Sequence, residues 1–230
     1  MSKAGRQIAG ELQTERTTLR RKAFRGHYDF ETIAAILDEA FICHVGFVAK
    51  GQPYVIPTGY GRRDRHLYFH GLSVNHMLDN LKLGIPICFT ATLVDGMVFA
   101  RSGFNHSINF RSVVVLGKAE LVEGEEQVEG LKIIMEHMLP GRWNDTRAPN
   151  AIELKATSVL RLPITEASAK IREGGPIDDE EDFALPYWAG VVPFETVAGP
   201  PITEGRVRPG TPVPEYALNY RRPKVQRTPT

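Results

Sequence analysis

The sequence predicts a mainly β protein of the α+β class, an antiparallel barrel covered by a few helices. Between residues 41 and 164 it contains about six or seven β-rich segments, most of them joined by short turns. Only two or three segments repeat apolar residues at helical spacing. Antiparallel strands can be joined by short turns, whereas a parallel sheet needs a long crossover between strands. The pattern therefore favours the barrel over a parallel α/β sheet.

The composition indicates an ordinary globular protein. The chain has 230 residues, of which 42% are hydrophobic and 24% charged, with a net charge of +1. This charge gives no electrostatic basis for binding nucleic acid, and no apolar run approaches the roughly 20 residues of a membrane helix. The N-terminal residues lack the apolar core of a secretory signal. We expect a cytoplasmic protein that binds neither nucleic acid nor a membrane, with Cys43 and Cys88 as small buried hydrophobic residues.

The first elements are a helix over residues 29–40 and a strand over residues 41–48. Asp29 has the side chain of an N-cap residue. The helix has one apolar face, formed by Ile33, Ile36, Leu37 and Ala40.

The centre of the chain predicts two more strands, a loop and a short helix. Residues 53–60 and 66–70 are the strands, and the charged residues 61–65 form the turn between them. Residues 71–76 form a polar loop, and a helix over residues 77–83 follows. The two strands continue the preceding strand into a meander.

The rest of the folded region is predicted as a strand at 86–94, a hairpin turn at Asp95-Gly96, a strand at 111–120, a helix at 125–139, a strand at 153–164 and one or two helical turns at 166–170.

The chain divides into three parts by composition. Residues 1–28 form a polar N-terminal arm, which is either mobile or a packed extension. Residues 29–194 form the globular domain. Residues 195–230 are rich in Pro and Arg without hydrophobic periodicity, and we expect an extended or partly disordered arm there.

The seven histidines form no recognisable metal-binding motif. His66 and His70 share one face of a strand, but about 13 Å of extended chain separates them, too far for one metal ion. The sequence has no paired Cys/His set, no Gly-x-Ser-x-Gly and no Gly-rich dinucleotide or phosphate motif. We predict no metal-ion site, while haem ligation by a single histidine stays open.

The loop after the third predicted strand is a candidate phosphate site. Ser73, Asn75 and His76 can donate hydrogen bonds to a phosphate, and the free N–H groups of a following helix attract an anion. Arg111 and Ser112 are candidates for a further guanidinium and hydroxyl contact. Alternatively, Ser73 or Asn75 simply caps the helix that begins near His76.

Pro57, Thr58, Gly59 and Tyr60 form a second candidate site, for a planar ring. Proline and glycine inside a strand indicate a bulge or the close approach of a ligand to the main chain. A ring lying there would find partners in main-chain N–H and C=O groups. The alternative is an irregularity of an edge strand.

Together these features resemble the flavin-binding split-barrel family of pyridoxamine 5'-phosphate oxidase, and most closely its branch of nitroimidazole-resistance and flavin-nucleotide-binding proteins. The resemblance covers about residues 29–194. It rests on the ordered motifs HVGFV (44–48), QPYVIPTGYGR (52–62), LYFHG (67–71), HSINFRSVVVLGKA (106–119), PGRW (140–143) and WAGVVP (188–193). The resemblance implies a six-stranded antiparallel split β-barrel with flanking helices. It also implies a homodimer with FMN, or alternatively FAD, at the dimer interface.

The resemblance also implies the cofactor contacts. In such proteins the strand matching residues 54–60 lies along the flavin ring, and the loop matching residues 70–76 takes the phosphate. The implied cofactor-binding residues are Pro57, Thr58, Gly59, Tyr60, His70, Ser73, Asn75, His76, Arg111, Ser112 and Trp188. Many relatives have Arg-Lys in place of Asn75 and His76. Arg111 either compensates for that missing charge or pairs with a carboxylate across the dimer.

Two functions follow from the resemblance. The first is an NAD(P)H-dependent reductase that passes hydride through FMN to a small nitro- or quinone-like acceptor, with His70 as the catalytic proton donor. The second is a non-catalytic flavin- or haem-binding protein that stores or senses its cofactor. His70 could instead be a hydrogen-bonded histidine lining the barrel. Trp188 either covers the flavin ring or serves as a buried aromatic anchor.

Overall fold

The computed structural model of the protein describes residues 10–221, which form two antiparallel sheets with flanking helices. The strands are β1 (Gly26–His27), β2 (Ile42–Ala49), β3 (Gln52–Gly59), β4 (Gly61–Arg63), β5 (His66–Leu72), β6 (Pro86–Phe99), β7 (Ser107–Lys118), β8 (Glu120–Val122), β9 (Thr157–Pro163), β10 (Ala167–Arg172) and β11 (Gly190–Pro193). The α-helices are α1 (Phe30–Glu39), α2 (His76–Leu81), α3 (Gly124–Met138), α4 (Ala151–Ala156) and α5 (Glu215–Leu218).

The two sheets enclose one main hydrophobic core. The larger sheet has seven strands in the order β1-β10-β7-β6-β2-β3, with β11 also paired to β6, and the smaller sheet has the order β4-β5-β9-β8. Fully buried side chains from both sheets meet between them, among them Val45, Phe69, Phe89 and Leu160. The predicted antiparallel split-barrel architecture with flanking helices is therefore confirmed, although the sheets contain more strands than the six predicted.

The two main helices each cover a sheet with one apolar face. α1 begins after Asp29, whose carboxylate accepts a hydrogen bond from the Thr32 N–H at 2.8 Å, which confirms the predicted N-cap. α3 packs on the smaller sheet through Gly130, Ile133 and Ile134. In the part of the chain that the structure describes, no helix is long and apolar enough to cross a membrane.

The chain passes from the larger sheet to the smaller one at Tyr60. β3 pairs with β2 along its whole length, whereas the short strand β4 pairs with β5 from Gly61 opposite Tyr68 to Arg63 opposite His66. The predicted hairpin between residues 53–60 and 66–70 is therefore wrong for most of its length. Tyr60 turns into the core at this point, and its hydroxyl donates a hydrogen bond to Leu37 O at 2.6 Å.

Asp95 and Gly96 form a β-bulge where a hairpin turn is predicted. β6 runs through both residues, and its register with β7 shifts between Val94 and Gly96. The Asp95 carboxylate accepts hydrogen bonds from Arg111. A Cβ on Gly96 would lie 2.7 Å from Val192 O, so the close approach of β11 requires glycine here.

Two other predicted elements have a different secondary structure. The predicted strand at 153–164 begins only at Thr157, because α4 precedes it. The side chain of Asn150 caps α4, and Glu153 completes a capping box. The predicted helical turns at 166–170 are instead strand β10, which pairs with both β7 and β1.

The N-terminal segment within the described residues packs against the domain. Leu12 is buried, its N–H donates to Tyr28 O, and its carbonyl accepts from the Ala167 N–H. Residues 10–28 thus match the packed extension among the two predicted alternatives. Residues 1–9, and the last residues of the predicted C-terminal arm, 222–230, lie outside the described range.

The predicted C-terminal arm has little regular structure between residues 195 and 214, and its last described residues contact the domain. The Tyr220 hydroxyl donates to Met138 O at 2.7 Å, and the Arg142 guanidinium donates to the Tyr216 hydroxyl at 2.8 Å. These contacts hold the arm against the end of α3.

Candidate functional site

The split between the two sheets brings several predicted site residues together. Within residues 10–221, β3 pairs only with β2, so its other edge is open. The ladder between β4 and β5 ends at Gly61 opposite Tyr68. Continuing that register would place Gly59 opposite His70, but the strands separate before this pair forms. The edges of β3 and β5 therefore diverge from near Gly59 and His70 onward, and we call the region between these edges the cleft.

The prolines of β3 decide which groups face the open edge. Pro53 and Pro57 have no N–H, so they occupy positions that do not donate to β2. Like the two prolines, Val55 and Gly59 occupy odd-numbered positions of β3. These positions present their main-chain N–H and C=O groups to the open edge. Two alternatives were predicted for residues 57–60: a site for a planar ring and a position on an edge strand. Both agree with this geometry, because an edge strand leaves its main-chain groups accessible to a ligand.

The Met138 side chain of α3 lies close to Gly59. A Cβ at this position would lie 2.8 Å from the Met138 sulfur. Beside it, the half-buried Thr58 donates from its hydroxyl to Gly59 O at 3.3 Å, and its own carbonyl accepts from the Cys43 thiol. Burial raises the pKa of Cys43 to about 12, so this group stays a thiol near neutral pH.

The side chain of Tyr60 does not face the cleft. It is fully buried, lies edge-on to Phe89 with ring centroids 5.0 Å apart, and is 5.0 Å from the His137 ring. The predicted cofactor contact at Tyr60 would therefore have to come from its main chain and not from its side chain. Tyrosine alternates with the edge residues of β3 and points inward, where its hydroxyl has a carbonyl partner.

His70 lies at the cleft on the face of β5 that points away from the main core. It is exposed, whereas its neighbour Phe69 is fully buried. The protein around the imidazole still displaces enough water to lower its pKa below the usual value of 6.5. His70 is thus mainly neutral at pH 7.

The loop before α2 has fewer free donors than predicted. Asn75 caps α2, and its side-chain oxygen accepts from the N–H groups of Met77 and Leu78. The N–H of Ser73 donates to Ala156 O, and the N–H of Asn75 donates to Leu72 O. The capping alternative for Asn75 is therefore observed. The expectation of a cluster of free N–H groups is wrong, because the fold uses four of them internally.

His76 lies in an aromatic cluster that the sequence did not reveal. Its exposed ring lies 5.0 Å from the Tyr54 ring and 6.2 Å from the Phe47 ring, measured between centroids. Phe47 and Tyr54 are direct neighbours across β2 and β3 and stack at 5.4 Å. In the sequence, the alternation of Tyr54 with Pro53 and Val55 indicates that the Tyr54 side chain points to the other face of the strand. Only the fold brings His76 of α2 against that side chain.

Arg111 already has two carboxylate partners within the same chain. Its guanidinium donates to Glu39 at 2.6 and 2.8 Å and to Asp95 at 2.9 Å through two nitrogens. These hydrogen bonds, led by those to Glu39, raise its pKa further. Both partners belong to the same chain: Glu39 ends α1 and Asp95 lies in β6. Neither the predicted phosphate contact nor a carboxylate across a dimer is therefore needed to pair the charge of Arg111.

Arg111 and Ser112 lie far from the loop before α2. Arg111 pairs with Leu93 of β6, whereas Phe47, at the aromatic cluster, pairs with Ile87 of the same strand. Six residues of extended strand correspond to about 20 Å. One chain therefore does not bring all the predicted phosphate ligands to one place.

Trp188 is also remote from the cleft, and it is exposed. Its side chain is 66% accessible, and its ring lies 5.6 Å from Phe99 at the far end of β6. The alternative of a buried anchor is therefore wrong. His106 lies beside the same Phe99 ring, at 6.0 Å. Among residues 10–221, no group of three or more His, Cys, Asp or Glu side chains is placed to hold a metal ion.

The chain is similar to known proteins over most of its length. It matches the family model described as pyridoxamine 5'-phosphate oxidase over residues 29–171. The flavocytochrome Anf3 from Azotobacter vinelandii is 42% identical with a TM-score of 0.86, covering 91% of this chain and 98% of that chain. The FAD and haem binding protein from Mycobacterium smegmatis is 35% identical with a TM-score of 0.80, covering 83% and 94%.

A more distant structure, described as a 5-nitroimidazole antibiotic resistance protein from Bacteroides thetaiotaomicron, is 25% identical with a TM-score of 0.54, covering 64% of this chain and 86% of that chain. A comparison with curated proteins found no match.

Proposed function

Because the chain belongs to the pyridoxamine 5'-phosphate oxidase family, we propose that it is a redox protein that binds a flavin together with a haem. The observation that carries the flavin part is the cleft between the open edges of β3 and β5, with His70 beside it. The haem part is supported by the two relatives named as a flavocytochrome and as an FAD and haem binding protein. The second name favours FAD over the FMN that the sequence motifs imply.

The residues at the cleft fit a flavin ring. A flavin is planar, with apolar faces and hydrogen-bonding groups along its edge. The open edge of β3 offers main-chain N–H and C=O groups at Val55 and Gly59, while Pro57 is exposed and adds an apolar surface. The neutral imidazole of His70 can both donate and accept a hydrogen bond. Ser73 and Asn75 retain a hydroxyl and an amide for polar contacts at the neighbouring loop.

We further propose that the active form is a homodimer. Arg111 and Ser112 lie far from the loop before α2, and Trp188 lies at the far end of β6. In a homodimer the second subunit would supply these residues to the cofactor of its partner. The outer face of the larger sheet exposes apolar side chains that could form the interface. They are Ile42, Val48, Val55 and Val94.

Carboxylates placed on this face should separate the subunits. Val48 and Val55 are 58% and 65% exposed, and the double variant V48E/V55E should raise the dimer dissociation constant by about 100-fold or more, because buried unpaired carboxylates cost several kcal/mol. Sedimentation velocity over a concentration series measures the change. V197E is the matched control, since Val197 is exposed in the C-terminal arm. A wild-type monomer, or an unchanged V48E/V55E dimer, contradicts this interface.

The proposed reaction is the reduction of a small nitro- or quinone-like acceptor by NAD(P)H. Bound flavin supplies the hydride acceptor and donor for this chemistry. His70 holds a proton at its ring nitrogen beside the cleft and transfers it to the acceptor. The chain positions this imidazole on the last part of β5, next to the buried Phe69.

This role of His70 predicts a specific pH dependence. Desolvation lowers the His70 pKa, so the protonated donor is abundant only below the ordinary histidine range. The rate of acceptor reduction should therefore fall as the pH rises through this lowered pKa. H70Q should reduce the maximal rate by about 100-fold and remove that limb of the profile. H106Q, which alters another exposed histidine, is the control. An unchanged pH profile in H70Q would show that His70 is not the donor.

Mass spectrometry of the ligands released from native protein tests the main proposal. We expect a flavin, resolved as FAD or FMN by mass, and haem b, each also visible in the absorption spectrum. Anaerobic addition of NAD(P)H then separates the reductase from a storage or sensor protein, because only the reductase should bleach the flavin rapidly. A protein that takes up no flavin after purification and reconstitution refutes the proposal.

The same proposal includes a reducing, cytoplasmic environment. The structure has both cysteines as free thiols, Cys43 buried and Cys88 half-buried. Buried or half-buried cysteines without a disulfide are usual in proteins of a reducing compartment, and cell fractionation tests the location directly.

A further inference from the structure

His76, at the junction of the loop and α2, has a ring that packs against aromatic neighbours but makes no hydrogen bond within residues 10–221. The His76 imidazole packs at 5.0 Å from Tyr54 and 6.2 Å from Phe47, and Asn75 orders the start of its helix. Within residues 10–221, no hydrogen bond involves either nitrogen of the His76 ring. An ordered, exposed imidazole with a free nitrogen has the properties of a metal ligand.

The surface around this imidazole is apolar. Leu72 and Val74, on either side of Ser73, are 65% and 82% exposed. Two aliphatic side chains exposed on one short loop are a poor match for a phosphate and a good match for a flat apolar ligand. With most N–H groups of the loop used internally, the loop offers an apolar rim and an imidazole rather than an anion cradle.

One cation is placed near this rim. The Lys82 ammonium donates to Ser73 O at 3.1 Å and lies 3.4 Å from Asp79, and it remains partly exposed. A haem carries two propionates that favour a nearby cation. The loop therefore combines an iron ligand, apolar contacts for a porphyrin face and a charge for a propionate.

Three other histidines are less suitable. The His137 Nε2–H donates to Ala40 O at 2.8 Å, and the His106 Nδ1–H donates to Ser102 O at 2.9 Å at the remote end of β6. His70 lies at the apex of the cleft that the proposed flavin occupies. His76 instead lies against Tyr54 of β3, five residues along that strand from Gly59.

We propose that His76 would hold the haem through its iron, with Leu72 and Val74 offering apolar contacts to the bound group. This inference rests on the proposed function, since it names the residue through which the haem is held. A ring nitrogen of His76 would be the ligand, and the contacts with the rings of Tyr54 and Phe47 would orient the imidazole. The predicted phosphate contact of His76 is replaced by this role.

The test compares H76A with H106A, both changes of exposed histidines. Each protein is reconstituted with haem b and FAD, and the ratio of each cofactor to protein is measured by the pyridine haemochrome assay and by flavin fluorescence. H76A should bind haem about 100-fold more weakly or lose it during gel filtration, while its flavin content stays near that of the wild type. H106A should retain both cofactors.

A second variant checks ligation directly. H76G should regain a wild-type-like low-spin spectrum when imidazole is added, because free imidazole can fill the vacated position. Circular dichroism of the variants establishes that they are folded. The inference is overturned if H76A keeps haem with an unchanged Soret band, or if it loses flavin and keeps haem, as a phosphate ligand would.

Different results refute the proposed function and the choice of His76 as the haem ligand. Wild-type protein that binds flavin but takes up no haem refutes the haem part of the proposed function and this ligand with it. Wild-type protein that binds haem, with loss of the Soret band in H70A and not in H76A, leaves the proposed function intact and overturns only the choice of His76.

Discussion

Replacing Arg111 by methionine should destabilise the protein by about 3–5 kcal/mol, because it deprives two partly buried carboxylates of their shared guanidinium. Arg111 is only 11% exposed, and Glu39 and Asp95 are similarly covered. Methionine fills much of the same space, so the loss is mainly electrostatic. Urea unfolding followed by circular dichroism measures the free energy of unfolding.

The pH dependence of the loss of stability in R111M separates a lost charge interaction from lost packing. The deficit of R111M should shrink as the pH falls into the range where carboxyl groups protonate, about pH 4, because a neutral carboxyl no longer needs the guanidinium. R147M is the matched control, since Arg147 forms an exposed pair with Glu153, and its stability should barely change. A deficit in R111M that does not depend on pH would point to lost packing instead.

Replacing Gly61 by alanine should cost about 2–3 kcal/mol and also disturb the cleft. A Cβ on Gly61 would lie 2.5 Å from Ile133 O and 2.8 Å from the Ile134 Cα, so α3 must move away from β4. These are backbone atoms of a helix, which cannot rotate out of the way as a side chain can. Because Gly61 directly follows the crossover at Tyr60, this shift should displace Gly59 relative to His70.

Flavin content and unfolding free energy should therefore fall together in G61A. G103A is the control, because nothing lies within 4 Å of a Cβ at Gly103 and its φ is not positive. Flavin titration and urea unfolding of the two variants provide the comparison. Wild-type stability in G61A would mean that α3 does not pack on β4 as closely as described.

Elements whose signals are local were predicted well. The cap at Asp29 and the apolar faces of α1 and α3 depend on residues within a few turns of one another, and the structure has them within one or two residues of the predicted bounds. The mainly β fold class follows from the same kind of local alternation. The family resemblance then added the split-barrel architecture, which no local pattern contains.

Elements that depend on distant partners were predicted poorly. Asp95-Gly96 has the composition of a hairpin turn, but pairing with β7 and β11 keeps the chain extended through it. Residues 166–170 could form a helix by composition, yet β7 offers them a complete ladder. In both cases hydrogen bonds from remote strands outweigh a local preference.

The sequence by itself determined the class of fold, the boundaries of its main helices and the neighbourhood of the candidate site, because these follow from the spacing of apolar residues and from motifs. Only the tertiary structure decided what each site residue is free to do. It buried Tyr60, gave Arg111 two carboxylates and used the N–H groups around Asn75. It left His76 on an apolar rim. The physical reason is that a side chain's role depends on which of its hydrogen bonds the fold has already used, and those partners lie far away in the chain.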